Sequence, residues 1–91
     1  MLQPVFTKSF EKDVKRIKKR GYKMEKLTYI INPLLHNERP LPPIYRDHPL
    51  KGDHTPKWEL HIEPDWLLIY EISGEQCFFA RTRTHADLFG E

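Results

Sequence analysis

Hydrophobic residues in the first part of the chain recur with the spacing of one face of an α-helix. The first run is spaced by four, four and three residues, at Phe6, Phe10, Val14 and Ile17. Lysines and arginines fill most of the intervening positions. Thr7 is expected to cap the start of this helix, and Gly21 to end it. The pattern predicts an amphipathic helix with one buried face.

A second helical run follows, spaced by three, four and three residues, at Met24, Leu27, Ile31 and Leu34. The sequence leaves its end open, because Pro33 costs about 3 kcal/mol in a helix interior. Asn32 and Pro33 can alternatively cap and open a new turn. Two short helices joined at Gly21 and Tyr22 are predicted to pack antiparallel.

The second half of the chain has the alternation of β-strands. Seven of the eight prolines lie between positions 33 and 64, and the run 39–43 predicts an extended connector. Beyond it, three strands are predicted to form an antiparallel meander, over 58–63, 66–72 and 76–83. A short strand over 2–5 is expected at a sheet edge, because Pro4 lacks an amide hydrogen.

These elements predict a single α+β domain over residues 1–91, in the order β-α-α-β-β-β. Two antiparallel helices would cover one face of a small antiparallel sheet, and the arginines of the last strand would lie on the other face. The alternation then directs Phe78, Ala80 and Thr82 to the core, and Phe79, Arg81 and Arg83 to the open side. By the same alternation His61 shares the open side with the arginines.

Composition and charge narrow the function classes. The chain has 91 residues, a net charge of +2 and one cysteine, Cys77, which excludes internal disulfides and multi-thiolate metal sites. No apolar run is long enough to span a membrane and the first residues do not resemble a leader, so a cytoplasmic protein is expected. Residues 1–23 hold eight of the fifteen basic residues. This basic segment suits nucleic acid, an anionic membrane or an acidic protein, or is an ordinary solvated helix face.

Five histidines are more than so short a chain needs for packing. Metal binding would use imidazole and carboxylate ligands, but no pair of histidines has the spacing typical of a metal site. Nucleophilic catalysis is disfavoured, because Cys77 lies inside a predicted strand. Metal-free cleavage of RNA needs a base, an acid and a fixed cation beside the phosphate. Histidine and arginine supply all three, so the residues are sufficient for a ribonuclease.

Each candidate also has a structural interpretation. His61 can be a solvent-facing strand residue, and His48 beside Pro49 can order a turn. Trp66 can belong to the core or stack on a base. Arg81 can form a surface ion pair with a glutamate across the sheet, worth about 0 to 1 kcal/mol.

Three segments resemble a known family. YRDHPLKG (45–52), HIEPDWLLIY (61–70) and RTRTHADLF (81–89), in this order and at these separations, resemble the YafQ branch of the RelE/ParE superfamily of bacterial toxins. The lysine-rich first helix and the LPP segment of the connector also fit. The resemblance implies a RelE-like fold and a ribosome-dependent endoribonuclease that cleaves mRNA in the A site of the 70S ribosome, with no cofactor and no metal. It also implies a cognate acidic antitoxin, with the toxin as a monomer within a toxin–antitoxin hetero-oligomer.

The resemblance places the active site at His48, His61, Asp65, Arg81 and His85. It implies that His85 is the general acid, that His61 or His48 is the base with Asp65 assisting, and that Arg81 stabilises the phosphate. RNA contacts are expected at Trp66, Phe89, Lys51, Arg83, Lys15, Lys18 and Lys19, with the basic first helix on ribosomal RNA.

One position departs from the family. Arg83 stands where the family motif has glycine, so it either impedes the approach of RNA or adds a phosphate contact. Two other functions stay open at this point: a toxin of the same fold that poisons a target such as DNA gyrase without chemistry, and an inactive relative that only binds its antitoxin.

Overall fold

Two helices and five strands make up the described residues, 1–52 and 56–85, of the computed structural model. In chain order they are β1 (Gln3–Phe6), α1 (Lys8–Lys19), α2 (Met24–Leu35), a 3₁₀ turn (Pro43–Tyr45), β2 (His48–Pro49), β3 (Trp58–Glu63), β4 (Trp66–Ser73) and β5 (Gln76–Thr84). Neither helix is long and apolar enough to cross a membrane.

The strands form one sheet in the order β1-β5-β4-β3-β2. The meander of β3, β4 and β5 is antiparallel, as predicted, and β1 lies at the edge. The sheet differs from the predicted antiparallel one in a single pairing, because β1 runs parallel to β5. The sequence analysis also missed β2, a two-residue strand beside β3. Such a short strand leaves too little alternation in the sequence to be recognised.

The predicted helix boundaries are largely confirmed. The Thr7 hydroxyl accepts the Phe10 amide at 3.0 Å and so caps α1, and it also donates to the Ala80 carbonyl at 2.9 Å. Gly21 has a φ of 89°, a backbone conformation that favours glycine after a helix. Pro33 lies within the last turn of α2, which continues to Leu35. The proline therefore neither ends the helix nor opens a new turn.

Both helices cover the same face of the sheet. Side chains from α1 and α2 form one core with the strands, made mainly of Phe10, Ile17, Leu27, Ile30, Leu34, Leu60, Leu68, Tyr70 and Phe79. Along β4 the residues that face the helices are fully buried and alternate with partly exposed ones. The face turned away from the helices is called the open face below.

A bulge in β5 corrects the predicted side-chain directions. Tyr70 pairs with Phe79, whereas the preceding Ile69 pairs with Arg81, so Ala80 is the extra residue. Phe79 is therefore buried and Phe78 is not, the reverse of the prediction. Beyond the bulge the alternation is restored to the predicted phase. Thr82 is buried, and Arg81 and Arg83 are partly exposed.

Candidate active site

Three predicted catalytic residues come together at one end of the sheet. His61 lies near the end of β3, and Asp65 is in the turn that leads into β4. The His85 amide, just past β5, donates to the Asp65 carbonyl at 3.1 Å. His61 Nδ1 is 3.4 Å from the Pro64 carbonyl in the same turn. His61 and His85 are 24 positions apart in the chain, and both contact the hairpin turn between β3 and β4.

His48 lies one strand outside this group. It pairs with Glu59 across β2 and β3, and its Nδ1 is bonded to the Arg46 carbonyl. Its Nε2 is 3.7 Å from a carboxylate oxygen of Glu59. Two residues along β3 and one strand across place its backbone about 8 Å from that of His61. Both histidines are thus near enough to act on one nucleotide.

The open face carries two rows of residues across neighbouring strands. In one row His61 pairs with Leu67, and Leu67 pairs with Arg83. In the other row Glu59 pairs with Ile69, which pairs with Arg81. The predicted sharing of one face by His61 and the arginines is therefore observed. Arg83 is the arginine directly in register with His61, at about 10 Å between backbones.

The Arg81 guanidinium is held by a buried carboxylate. Its Nε donates to Asp13 Oδ2 at 2.7 Å and its Nη2 to Oδ1 at 3.0 Å. Arg16 donates to the same carboxylate at 2.9 Å, and the Thr82 amide does so at 3.1 Å. β1 pairs with β5 only as far as Phe79. Beyond that residue the Asp13 carboxylate, and not β1, accepts the hydrogen bond from the Thr82 amide of β5. Arg81 is thereby fixed in direction.

Asp13 is a functional candidate that the sequence analysis missed. Burial would by itself raise the pKa of Asp13, but the hydrogen bonds from Arg81, Arg16 and the Thr82 amide outweigh it, and the pKa lies below its ordinary value. The signal was in the helical pattern, because Asp13 falls between Phe10 and Ile17 on the buried face of α1. A carboxylate on an apolar stripe predicts a buried cationic partner.

Tyr22 holds the Asp65 carboxylate. Its hydroxyl donates to Asp65 Oδ2 at 2.6 Å, and this hydrogen bond, with burial, raises the pKa of Tyr22. The Tyr22 ring also packs edge-on against Trp66, with 5.3 Å between ring centroids. The loop between the two helices therefore reaches the end of the sheet and orients a predicted catalytic carboxylate.

Replacing Tyr22 with phenylalanine is expected to lower the free energy of unfolding by about 1.5 to 3 kcal/mol, because a hydrogen bond to a charged group is lost. Urea unfolding measures the change. Tyr29→Phe is the matched control, since Tyr29 is 71% exposed and its hydroxyl has no hydrogen bond among the described residues. Equal stability of the Tyr22→Phe variant and the wild type would contradict the role given to this bond.

Trp66 belongs to the core. It has no exposed surface, and its Nε1 donates to the Thr82 hydroxyl at 2.7 Å. The Thr82 hydroxyl in turn donates to the Leu67 carbonyl at 2.8 Å. A ring with no exposed surface has no face on which a base can stack, so the structure favours the core interpretation of Trp66 over base stacking.

The exposed lysines of α1 lie on a different side from His61. Lys15, Lys18 and Lys19 are exposed on α1, which covers the face opposite the open face. Lys51 is exposed just after β2. Phe89 lies outside the described residues.

Beside His61 is a cleft of about 740 Å³ between α2, the 3₁₀ turn and the end of β3. Its lining includes Tyr29, Ile44 and Arg46. The cleft is large enough for a small ligand. Of the five predicted catalytic residues, only His61 contributes to it. The remaining candidates therefore lie on the sheet surface and at its end, outside this cleft.

Cys77 is not a nucleophile in this structure. Burial raises the pKa of its thiol to about 11, so the reactive thiolate is scarce at neutral pH. Among residues 1–52 and 56–85, no three histidine, cysteine, aspartate or glutamate side chains converge as metal ligands would. We assign no metal site to the described residues.

The chain is similar to known bacterial toxins over nearly its whole length. The sequence model described as "Bacterial toxin of type II toxin-antitoxin system, YafQ" matches residues 2–90. The curated mRNA interferase toxin YafQ of Escherichia coli K12 is 45% identical over 85 residues, which cover 93% of this chain and 92% of that protein.

Solved structures share the fold over the whole chain. The crystal structure of the E. coli DinJ–YafQ complex matches with a TM-score of 0.88 and 42% identity, covering 99% of this chain and all of that one. A metal-bound toxin from Helicobacter pylori matches with a TM-score of 0.86 and 38% identity, covering 98% of this chain and all of that one. The match spans both helices and all five strands. The chain belongs to the YafQ family, the bacterial toxins of type II toxin–antitoxin systems.

Proposed function

We propose that this toxin is an endoribonuclease that cleaves messenger RNA in the A site of the ribosome. The observation that carries the proposal is the convergence of His61, Asp65 and His85 at one end of an open sheet face that also bears two arginines. Curated relatives of this chain are named mRNA interferases, which supports the same activity.

The proposed chemistry depends on which side chains can take or give a proton. A base takes the proton of the 2′-hydroxyl, whose oxygen attacks the adjacent phosphorus, while an acid protonates the leaving 5′-oxygen. Histidine suits both steps, because its ordinary pKa of about 6.5 is close to neutral pH. We assign the acid to His85 and the base to His61 or His48. The products carry a 2′,3′-cyclic phosphate, or the 3′-phosphate formed from it, and a 5′-hydroxyl.

Two carboxylates assist from fixed positions. Asp65, whose carboxylate is held by Tyr22, lies in the turn after His61 and accepts the His85 amide at its carbonyl, and we assign it the role of assisting the histidine base. Asp13 orients Arg81 toward the charge that develops on the phosphate. Arginine keeps its charge at any physiological pH, so this contribution does not vary with the protonation of the histidines.

The two faces of the molecule permit simultaneous contacts. The exposed lysines of α1 point away from the sheet, so they can bind ribosomal RNA while the open face holds the message. The cognate antitoxin is proposed to be an acidic protein that binds this toxin; a toxin–antitoxin complex of DinJ and YafQ from E. coli supports a partner of this kind.

Mapping the ends of a translated message tests the proposal. Wild-type toxin is expected to cut the message within the A-site codon of stalled ribosomes, and to leave the ends described above. The same message without ribosomes serves as the control and is expected to be cut far more slowly. An intact message in cells whose growth the toxin arrests would contradict the proposal and favour the binder of a target such as DNA gyrase.

A further inference from the structure

Arg83 is the cation in register with His61. Arg81 is the cation held by Asp13. Arg81 donates from Nε and Nη2 to Asp13, and that carboxylate neutralises part of the positive charge of Arg81. The Arg83 guanidinium has no carboxylate within ion-pair distance among residues 1–52 and 56–85. Its charge is therefore available to another anion.

Arg83 also has an unsatisfied donor. Its Nε is buried and has no hydrogen-bond partner within the described part of the chain. A buried donor on a charged group is rarely left in this state, because water no longer satisfies it. In the sheet register Arg83 lies beside Leu67, whose side chain carries no hydrogen-bond acceptor. The Arg83 side chain is therefore not committed to a partner within the described residues, and it can turn toward an acceptor from outside the chain.

The position of Arg83 identifies that acceptor. Arg83 and His61 lie at the two ends of one row, with only Leu67 between them. His85 is two residues further along the same chain segment. An anion bound by Arg83 would thus lie beside the residues that exchange protons with RNA, and guanidinium binds phosphate through two parallel hydrogen bonds.

We propose that Arg83 binds a phosphate of the substrate RNA, in a subsite next to the scissile bond. This inference rests on the proposed ribonuclease function and adds to it a contact made by the side chain that departs from the family motif. Arg81, held by Asp13, stabilises the reacting phosphate. Arg83 holds the neighbouring phosphate of the message and contributes mainly to substrate binding.

Steady-state cleavage of a ribosome-bound message tests this division. For Arg83→Gln we expect KM to rise about tenfold with kcat changed less than threefold. The slope of log(kcat/KM) against log salt concentration is expected to decrease in magnitude by about one. Arg83→Lys is expected to restore the salt dependence and only part of the affinity, because lysine lacks the planar fork. Lys23→Gln, which removes the same charge from an exposed position before α2, is the control and is expected to leave KM unchanged.

The outcomes distinguish a failure of the Arg83 phosphate subsite from a failure of the ribonuclease function. A wild-type KM and salt dependence in Arg83→Gln would overturn the phosphate subsite while leaving the ribonuclease intact. The subsite is also overturned if Arg83→Gln cleaves normally but binds the antitoxin more weakly, since the acceptor is then an acidic protein. A wild-type toxin that leaves the ribosome-bound message whole would overturn the ribonuclease, and the subsite with it.

Discussion

Replacing His85 with glutamine is expected to lower the rate of message cleavage at least about 100-fold, the effect typical of losing a general acid. Glutamine keeps a polar side chain of similar size but cannot give a proton to the leaving oxygen. The hydrogen bond to the Asp65 carbonyl comes from the His85 backbone amide, so it survives the substitution. Ribosome-bound message, cleaved by purified toxin and followed by the appearance of new ends, measures the rate.

His36→Gln is the matched control for this experiment. His36 is exposed at the end of α2, away from the open face, and its substitution is expected to leave the rate unchanged. Cleavage by His85→Gln at the wild-type rate would refute the acid role. An equal loss in both variants would show that the effect is not specific to the site.

The largest expected effect on stability comes from Asp13. Substitution by alanine is expected to lower the free energy of unfolding by about 3 kcal/mol, because it removes the buried carboxylate to which two arginines and the Thr82 amide donate. The value is at the low end for a broken buried pair, since both arginine side chains are 36% exposed and regain water. Urea unfolding measures it.

Glu11→Ala removes an exposed carboxylate from the same helix and is expected to cost less than about 0.5 kcal/mol. If the two alanine variants are equally stable, the carboxylate of Asp13 does not organise this region.

The Asp13 network also predicts a dependence on pH. The pKa of Asp13 is lower in the folded protein than its ordinary value of 3.8, so its contribution to stability is complete above that pH. The contribution is lost as the pH falls through the lower, folded-state value. The wild type is therefore expected to lose stability more steeply than Asp13→Asn below about pH 4. Parallel curves for the two proteins would contradict this linkage.

The elements of the fold were largely predictable because each rests on a local pattern. The spacing of Phe10 and Ile17 requires a helix, and the alternation around Leu60 requires a strand. Thr7 and Gly21 fix the helix ends through their own side chain and backbone freedom. The pairing partner of each strand was harder to predict from the sequence. The parallel pairing of β1 with β5 joins segments about 70 residues apart, and no local signal encodes it.

The side-chain directions in β5 show the limit of periodicity. One extra residue at Ala80 reverses the phase of the preceding strand, so Phe79 is buried although strict alternation places it outside. The two phenylalanines are equally hydrophobic and cannot indicate which of them faces the core. Arg81 and Arg83 were placed on the correct face because a charged side chain excludes the other choice.

The chain alone determined which chemistry is available: imidazoles, guanidinium groups and carboxylates in three motifs typical of one toxin family, on a basic α+β domain. The tertiary structure alone decided how these groups are paired. It joined Asp13 to Arg81 and Tyr22 to Asp65, placed Trp66 in the core and put Arg83 in one row with His61. The reason is physical, since a residue's type sets what it can bind, whereas burial and distance between remote segments set what it does bind.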